Sequence, residues 1–207
     1  MNTLHLFVTD ECTNKCPKCC NRTYPAKDIP FVTKADIESA ELVCLTGGEP
    51  FLFEETLWLA RNFKAAYPGK KLVGYSSGEK LFDPLFDRTL GNPLTETLTD
   101  GTFDGFTVAP KNIDDVYMLD YYLLRGWAEP VTIDLVKNKI SFRFYKGLYI
   151  DKEPVPEGFW ERVATWPATA EVIERPWRDD DWTTEGSVYR RLPVLFHSYG
   201  PDVTRRK

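Results

Sequence analysis

The sequence has no apolar run that approaches the roughly 18 residues needed for a membrane-spanning helix. Its first residues have neither the charged segment nor the long apolar segment of a secretory signal peptide. Internal repeats and low-complexity tracts are also absent. We therefore expect a cytoplasmic protein that has no membrane partner.

An excess of charge of one sign is also missing, since 26 Lys and Arg residues stand against 31 Asp and Glu residues. The net charge of −5 gives no general attraction to nucleic-acid phosphates, so a nucleic-acid partner is not expected. Histidine is scarce, and we assign no role to either His5 or His197. The chain of 207 residues, 43% of them hydrophobic, is long enough to bury a substantial core.

Five cysteines are present, and four of them lie within nine residues. This crowding favours metal ligation in a reducing compartment over a disulfide framework. Cys12, Cys16 and Cys19 form a C-x3-C-x2-C pattern, hereafter the cysteine motif, whose three thiolates can hold a 4Fe–4S cluster and leave one iron open. A zinc site is the alternative, although the adjacent Cys19 and Cys20 fit its usual spacing poorly. Cys44, within an apolar run, is expected in the core.

The first two-thirds of the chain alternates between strand and helix patterns. Thr33 followed by Asp36 predicts a capped helix start, and Asn112 with Asp115 predicts another. A helical pattern also covers residues 54–67. Four apolar runs predict strands of a parallel sheet, over residues 4–9, 42–46, 71–76 and 105–109.

The pattern changes beyond residue 130. Residues 131–135 and 140–144 alternate apolar and polar side chains, and the three residues of the gap favour an antiparallel hairpin. In residues 150–207 we expect one helix near residues 158–165 and otherwise irregular structure, packed on the core or covering the site. The predicted fold is α/β, a partial (β/α) barrel with an antiparallel hairpin at one edge and an irregular C-terminal extension. The predicted domains are a core over residues 1–149 and the extension over 150–207.

A second motif follows the second predicted strand, and we call Gly47–Pro50 the Gly-Gly-Glu-Pro segment. Two glycines allow close approach of the backbone to a ligand, and a carboxylate can accept hydrogen bonds from an ammonium group. A tight turn with a surface glutamate is the alternative. Ligands of open α/β sheets bind outside the carboxyl ends of the strands, where both motifs fall.

The cysteine motif and the Gly-Gly-Glu-Pro segment, in this order, resemble the radical S-adenosylmethionine enzyme superfamily over roughly residues 4–111. The resemblance implies a radical SAM partial barrel whose three motif cysteines bind a 4Fe–4S cluster, with S-adenosylmethionine on the open iron. In that family one electron from the cluster cleaves the sulfonium, and the 5′-deoxyadenosyl radical takes hydrogen from the substrate. An electron donor such as flavodoxin or ferredoxin is also implied.

The resemblance further places cofactor contacts at the ends of three predicted strands. The Gly-Gly-Glu-Pro segment would contact the amino group of the methionine moiety. Ser76 and Ser77 would contact the carboxylate of that moiety or the ribose. Ala-Pro-Lys at residues 109–111 is similar to the Ser-Pro-Lys of 7-carboxy-7-deazaguanine synthases. A Ser-Gly turn and an exposed lysine are the alternatives. The predicted cofactor-binding residues are Gly47, Gly48, Glu49, Pro50, Ser76, Ser77 and Lys111.

The class of substrate is predicted from the absence of a further cysteine cluster. No cysteine cluster follows Cys44, so the auxiliary clusters of peptide-modifying branches are absent. We expect a small, nucleoside-like or pterin-like molecule and assign no catalytic residue. Lys18 stands where the family usually has an aromatic residue, just before the third cysteine. After that cysteine, Cys20 and Asn21 replace the Asp-Thr pair of the deazaguanine synthases. The alternatives are an activating enzyme with a protein partner, a deazaguanine synthase-like enzyme and a structural metal-binding module.

Overall fold

The computed structural model describes residues 2–14, 26–78, 93–125, 139–145, 155–165, 170–173 and 186–194. Cys16, Cys19, Cys20 and the strand predicted over residues 131–135 lie outside these ranges. The chain divides into two compact units, one formed by Met1–Gly74 with Asp179–Lys207 and the other by Tyr75–Arg178. The domain division predicted at residue 150 stays a prediction.

Seven strands and five α-helices lie in the described residues. The strands are β1 (Thr3–Thr9), β2 (Leu42–Gly47), β3 (Lys71–Ser76), β4 (Gly105–Val108), β5 (Ile140–Tyr145), β6 (Ala170–Ile173) and β7 (Ser187–Arg191). The helices are α1 (Lys34–Ser39), α2 (Glu54–Ala66), α3 (Pro93–Thr99), α4 (Ile113–Arg125) and α5 (Phe159–Ala164). Among the helices described, none combines the length and the apolar character that crossing a membrane requires.

The first unit contains β7, β1, β2 and the residues of β3 up to Gly74, which pair in parallel in the order β7-β1-β2-β3. Consecutive residues of β1, from Leu6 to Thr9, are buried, as expected of a strand covered on both faces. Cys44 in β2 is buried, which confirms its predicted place in the core. The predicted strands over residues 4–9, 42–46 and 71–76 are confirmed to within one residue at each end.

The predicted antiparallel hairpin is wrong for β5. On one edge Phe142 pairs in parallel with Val108 of β4, and on the other it pairs in parallel with Ala170 of β6. Both edges of β5 are therefore occupied by parallel strands. The alternation that suggested a hairpin has another cause, because Phe142 and Phe144 are buried whereas Ser141 and Arg143 are half-buried. Alternation reports the two faces of a strand and not the direction of its partners.

The predicted irregular C-terminal extension is also wrong in part. Helix α5 lies where a helix was expected, but Ala170–Ile173 and Ser187–Arg191 are strands. In β7 the pairing with β1 runs from Ser187 opposite Thr3 to Arg191 opposite Phe7. Strands of four and five residues are too short to give a readable periodicity, so only their partners define them.

Two helix starts are capped as the sequence predicts. The Thr33 backbone nitrogen donates to Asp36 Oδ2 at 2.9 Å, and the Asp36 backbone nitrogen donates to Thr33 Oγ1 at 3.2 Å, a reciprocal capping box. At α4, the Asp115 backbone nitrogen donates to Asn112 Oδ1 at 2.8 Å. These bonds span three residues along the chain, so local sequence is sufficient to specify them.

Candidate functional site

The cysteine motif begins directly after β1. The chain leaves the strand at the buried Thr9, whose Oγ1 accepts a 3.1 Å hydrogen bond from the Glu11 backbone nitrogen. Cys12 follows and is half-buried, so its thiol lies at the carboxyl end of a parallel strand with partial access to solvent. This is the edge of a parallel sheet at which ligands generally bind.

The Gly-Gly-Glu-Pro segment lies against this stretch of chain. The Gly48 backbone nitrogen donates to the Thr9 carbonyl at 2.8 Å, and the Glu49 backbone nitrogen donates to the Glu11 carbonyl at 2.8 Å. Both bonds extend the association of β1 and β2 beyond the ends of the strands. The structure thus brings the first cysteine of one motif next to the other motif, as the sequence predicts.

The two glycines are needed for this close approach of one backbone to another. Gly47 has a φ of 139°, and a Cβ there would collide with the Thr9 carbonyl oxygen. A Cβ at Gly48 would come within 2.5 Å of the Glu11 carbonyl carbon and closer still to its oxygen. Glycine identity at both positions is therefore explained by packing of the chain on itself. Contact of Gly47 and Gly48 with a cofactor stays a prediction.

Glu49 is buried, so the alternative of a surface glutamate is wrong. Its Oε1 accepts a 3.3 Å hydrogen bond from the Phe51 backbone nitrogen and caps the short 3-10 turn Pro50–Leu52. Pro50 occupies the first position of that turn and is buried. Because a buried carboxylate is costly without hydrogen-bond donors, the backbone at this turn helps to retain it there.

In the second unit, the two predicted serines lie at the end of β3, where Ser76 is the last residue of the strand and Ser77 follows it. Ser76 and Ser77 are both buried. Ser76 Oγ accepts a 2.9 Å hydrogen bond from the Gly78 backbone nitrogen, and the Ser76 carbonyl accepts one of 2.8 Å from the Ala109 backbone nitrogen. The Ser76 hydroxyl thus closes a turn at Gly78, whose φ is 100°. The predicted contact of both serines with a cofactor stays a prediction.

Lys111 is half-buried and has defined neighbours within the second unit. Its Nζ lies 5.6 Å from the centroid of the Tyr75 ring, within the range of a cation–π interaction. Its backbone nitrogen donates to Oδ2 of the buried Asp115 at 2.8 Å. The alternative of a simply exposed lysine is therefore wrong. Sequence reasoning identified Asp115 only as a cap and gave no signal for Tyr75.

The predicted residues fall into two groups, one in each unit. Cys12 and Gly47–Pro50 come together in the first unit, and Ser76, Ser77 and Lys111 come together in the second. Within the described ranges, no three His, Cys, Asp or Glu side chains are placed to hold one metal ion. The motif's three thiolates are nonetheless the soft donors that an iron–sulfur cluster takes, so the residue types fit that group.

The comparisons with known proteins find likenesses among solved structures. Neither a protein-family model nor a curated protein matches the chain. The crystal structure of BtrN in complex with AdoMet and 2-DOIA is similar, with a TM-score of 0.46 and 14% sequence identity. The match covers 70% of this chain and 56% of that one, so the chain corresponds to little more than half of that protein.

Proposed function

We propose that the chain is a single-cluster radical S-adenosylmethionine enzyme. The observation that carries this proposal is the pair of hydrogen bonds from Gly48 to Thr9 and from Glu49 to Glu11, which joins the start of the cysteine motif to the Gly-Gly-Glu-Pro segment. Each motif alone has a simpler reading, as a zinc site or as a turn. Their juxtaposition at the carboxyl ends of two adjacent parallel strands supports one shared site.

In this proposal Cys12, Cys16 and Cys19 hold a 4Fe–4S cluster. When bound, the cluster supplies the electron that cleaves S-adenosylmethionine and so generates a 5′-deoxyadenosyl radical for hydrogen abstraction. The residues of the chain bind and orient. The buried Glu49 carboxylate would accept a hydrogen bond from the cofactor's amino group, at a place where low solvent access strengthens a charge-assisted bond.

The proposal retains the three further cofactor contacts that the sequence predicts. The Lys111 ammonium, held over the Tyr75 ring, would pair with a carboxylate, and Ser76 and Ser77 would bind polar groups of the cofactor. We further propose a small, nucleoside-like substrate, a flavodoxin or ferredoxin as electron donor, and action in the cytoplasm, where thiols stay reduced.

The proposal is tested by the cluster content of five cysteine variants. We expect anaerobically prepared wild-type chain to be brown and to contain iron and sulfide. Alanine at Cys12, Cys16 or Cys19 should abolish the cluster, because each removes one of the three thiolates. Alanine at Cys20 or Cys44 should leave iron and sulfide at the wild-type level, and these two variants are the matched controls.

Product analysis completes the test. Reduced wild-type chain should convert S-adenosylmethionine to 5′-deoxyadenosine and methionine, and the three motif variants should not. A colourless chain that retains zinc would replace this function with that of a structural metal-binding module. Full cluster loading in the Cys16→Ala variant, or loss of the cluster in Cys20→Ala, would contradict the ligand assignment.

A further inference from the structure

The chain returns from the cysteine motif at Ala26, and this point is packed against β1 and β7. Ala26 and Ile29 are buried with Phe7 of β1 in one cluster, and Tyr189 of β7 packs against that cluster. Between them, Ala26–Asp28 forms a 3-10 turn. The position of the chain just after the cysteine motif is thus set partly by residues from the far end of the sequence.

Arg191, the last residue of β7, contacts this returning segment with both its side chain and its backbone. Its Nε donates to the Ile29 carbonyl at 2.9 Å, and its Nη2 lies 3.5 Å from the Lys27 carbonyl. The guanidinium lies 4.0 Å from the centroid of the Phe31 ring, a cation–π contact. The Arg191 backbone also donates to the Pro30 carbonyl and accepts from the Val32 backbone nitrogen, each at 2.9 Å.

We propose that Arg191 is a positioning residue for the metal-binding thiolates of the cysteine motif. The identity of the metal group rests on the function proposed above, whereas the positioning rests on the contacts just described. Residues 15–25, which carry Cys16 and Cys19, connect Asn14 to Ala26. The chain before this segment is held by hydrogen bonds from the Gly48 and Glu49 backbone nitrogens. The chain after it is held by hydrogen bonds from Arg191.

Holding the chain on both sides of the segment reduces the conformational entropy that is lost when the cysteines bind one metal group. The fold packs Ala26, which follows the segment, against Phe7 of β1, which precedes it, so part of the cost of loop closure precedes metal binding. Preorganisation of this kind raises affinity without any new contact to the ligand. Loss of the Arg191 side chain should therefore weaken metal binding through its effect on the position of this part of the chain.

The neighbouring Arg190 provides a matched control. It is also half-buried, lies in the same strand and has its Nε 3.1 Å from Asp36 Oδ1. Asp36 belongs to the capping box of α1, further along the chain from the cysteine motif. Both arginines thus contribute charged hydrogen bonds to the same unit, and of the two it is Arg191 whose side chain donates to the segment that returns from the motif.

The test is a cobalt(II) titration of the reduced, metal-free full-length chain under anaerobic conditions, followed through the thiolate-to-cobalt charge-transfer absorption. The variants are Arg191→Met, Arg191→Lys and Arg190→Met. We expect Arg191→Met to weaken cobalt binding about tenfold, the factor that corresponds to the loss of one charge-assisted hydrogen bond. Arg190→Met should change it by less than about twofold. Arg191→Lys should recover part of the loss, because an ammonium can donate to the same carbonyls.

Thermal unfolding of the metal-free variants separates positioning from general stability, since both Met variants should lower the midpoint similarly. Equal cobalt affinity in wild type and Arg191→Met, equal weakening in both Met variants, or no cobalt binding by the wild type would each overturn the proposal. A different result would contradict the proposed enzymatic function alone. In that case the wild type binds cobalt and shows the expected order of variants, but forms no iron–sulfur cluster on anaerobic reconstitution.

Discussion

Gly48 shows at the scale of a single residue how backbone packing prepares the site. A side chain at this position would enter the space of the Glu11 carbonyl, one residue before Cys12. We expect Gly48→Ala to lower the free energy of unfolding by about 1–3 kcal/mol, the usual cost of overpacking a close contact. Because the collision displaces the chain that carries Cys12, iron content after reconstitution should fall as well. Urea denaturation and iron analysis measure the two effects.

Gly69 provides the control for this substitution. A Cβ at Gly69 would meet no atom within 4 Å, so Gly69→Ala adds no contact. Its free energy of unfolding should change by less than about 1 kcal/mol, and its iron content should equal that of the wild type. If the two alanine variants behaved alike, the close approach of Gly48 to the Glu11 carbonyl would have no energetic role.

At the scale of an element, the start of α1 depends on the ionised Asp36. Burial raises the pKa of this carboxyl group, but hydrogen bonds from the Thr33 hydroxyl and backbone and the nearby Arg190 guanidinium outweigh it and lower the pKa below 3.8. A lowered folded-state pKa means that the stabilisation is fully present above the unfolded-state pKa. It is lost as the pH falls through the lower, folded-state value.

We therefore expect the Asp36→Ala variant to lose about 1 kcal/mol of unfolding free energy at neutral pH, the typical contribution of a helix cap. The difference from wild type should shrink as the pH falls through the lowered folded-state pKa of Asp36, where the folded wild-type carboxylate becomes protonated. Urea denaturation at a series of pH values measures it. Glu38→Gln is the control, because its pair with Lys34 is exposed on the same helix and should contribute less than about 0.5 kcal/mol. A pH-independent loss in Asp36→Ala would contradict this account.

At the scale of the whole molecule, the C-terminal part of the chain completes the sheet of the first unit. Strand β7 pairs in parallel with β1, and Tyr189 stacks on His5 with ring centroids 4.6 Å apart. A chain that ends after Arg178 would leave one edge of β1 without its partner. We expect this truncation to abolish cooperative thermal unfolding, because buried backbone groups of β1 would lose their hydrogen bonds.

A second truncation, ending after Val194, keeps β7 whole and serves as the control. It should unfold cooperatively, as the full-length chain does, in a circular dichroism melt. If the chain ending after Arg178 melted cooperatively at the wild-type temperature, β7 would be dispensable. The role of Arg191 in holding the segment after the cysteine motif would then be difficult to maintain.

Features that depend on neighbouring residues could be predicted from the sequence alone. The apolar runs of β1 to β4 identify strands because their length and apolar character suit strands of a covered parallel sheet, and the caps at Thr33 and Asn112 form over three residues. The cysteine motif and the Gly-Gly-Glu-Pro segment were likewise visible as short patterns. Their common place at one end of the sheet followed from the rule that parallel strands present their carboxyl ends together.

Other features were decided by partners distant in the sequence. The direction of β5 depends on β4 and β6, and alternation within Ile140–Tyr145 carries no information about either. The burial of Glu49, the place of Lys111 over Tyr75 and the glycine requirement at position 48 also depend on elements that meet only in the folded chain. Arg191 and Ile29 are separated by 162 residues, and no local pattern links them. Tertiary structure decides such contacts because hydrogen bonding and packing require proximity in space, which a linear pattern does not record.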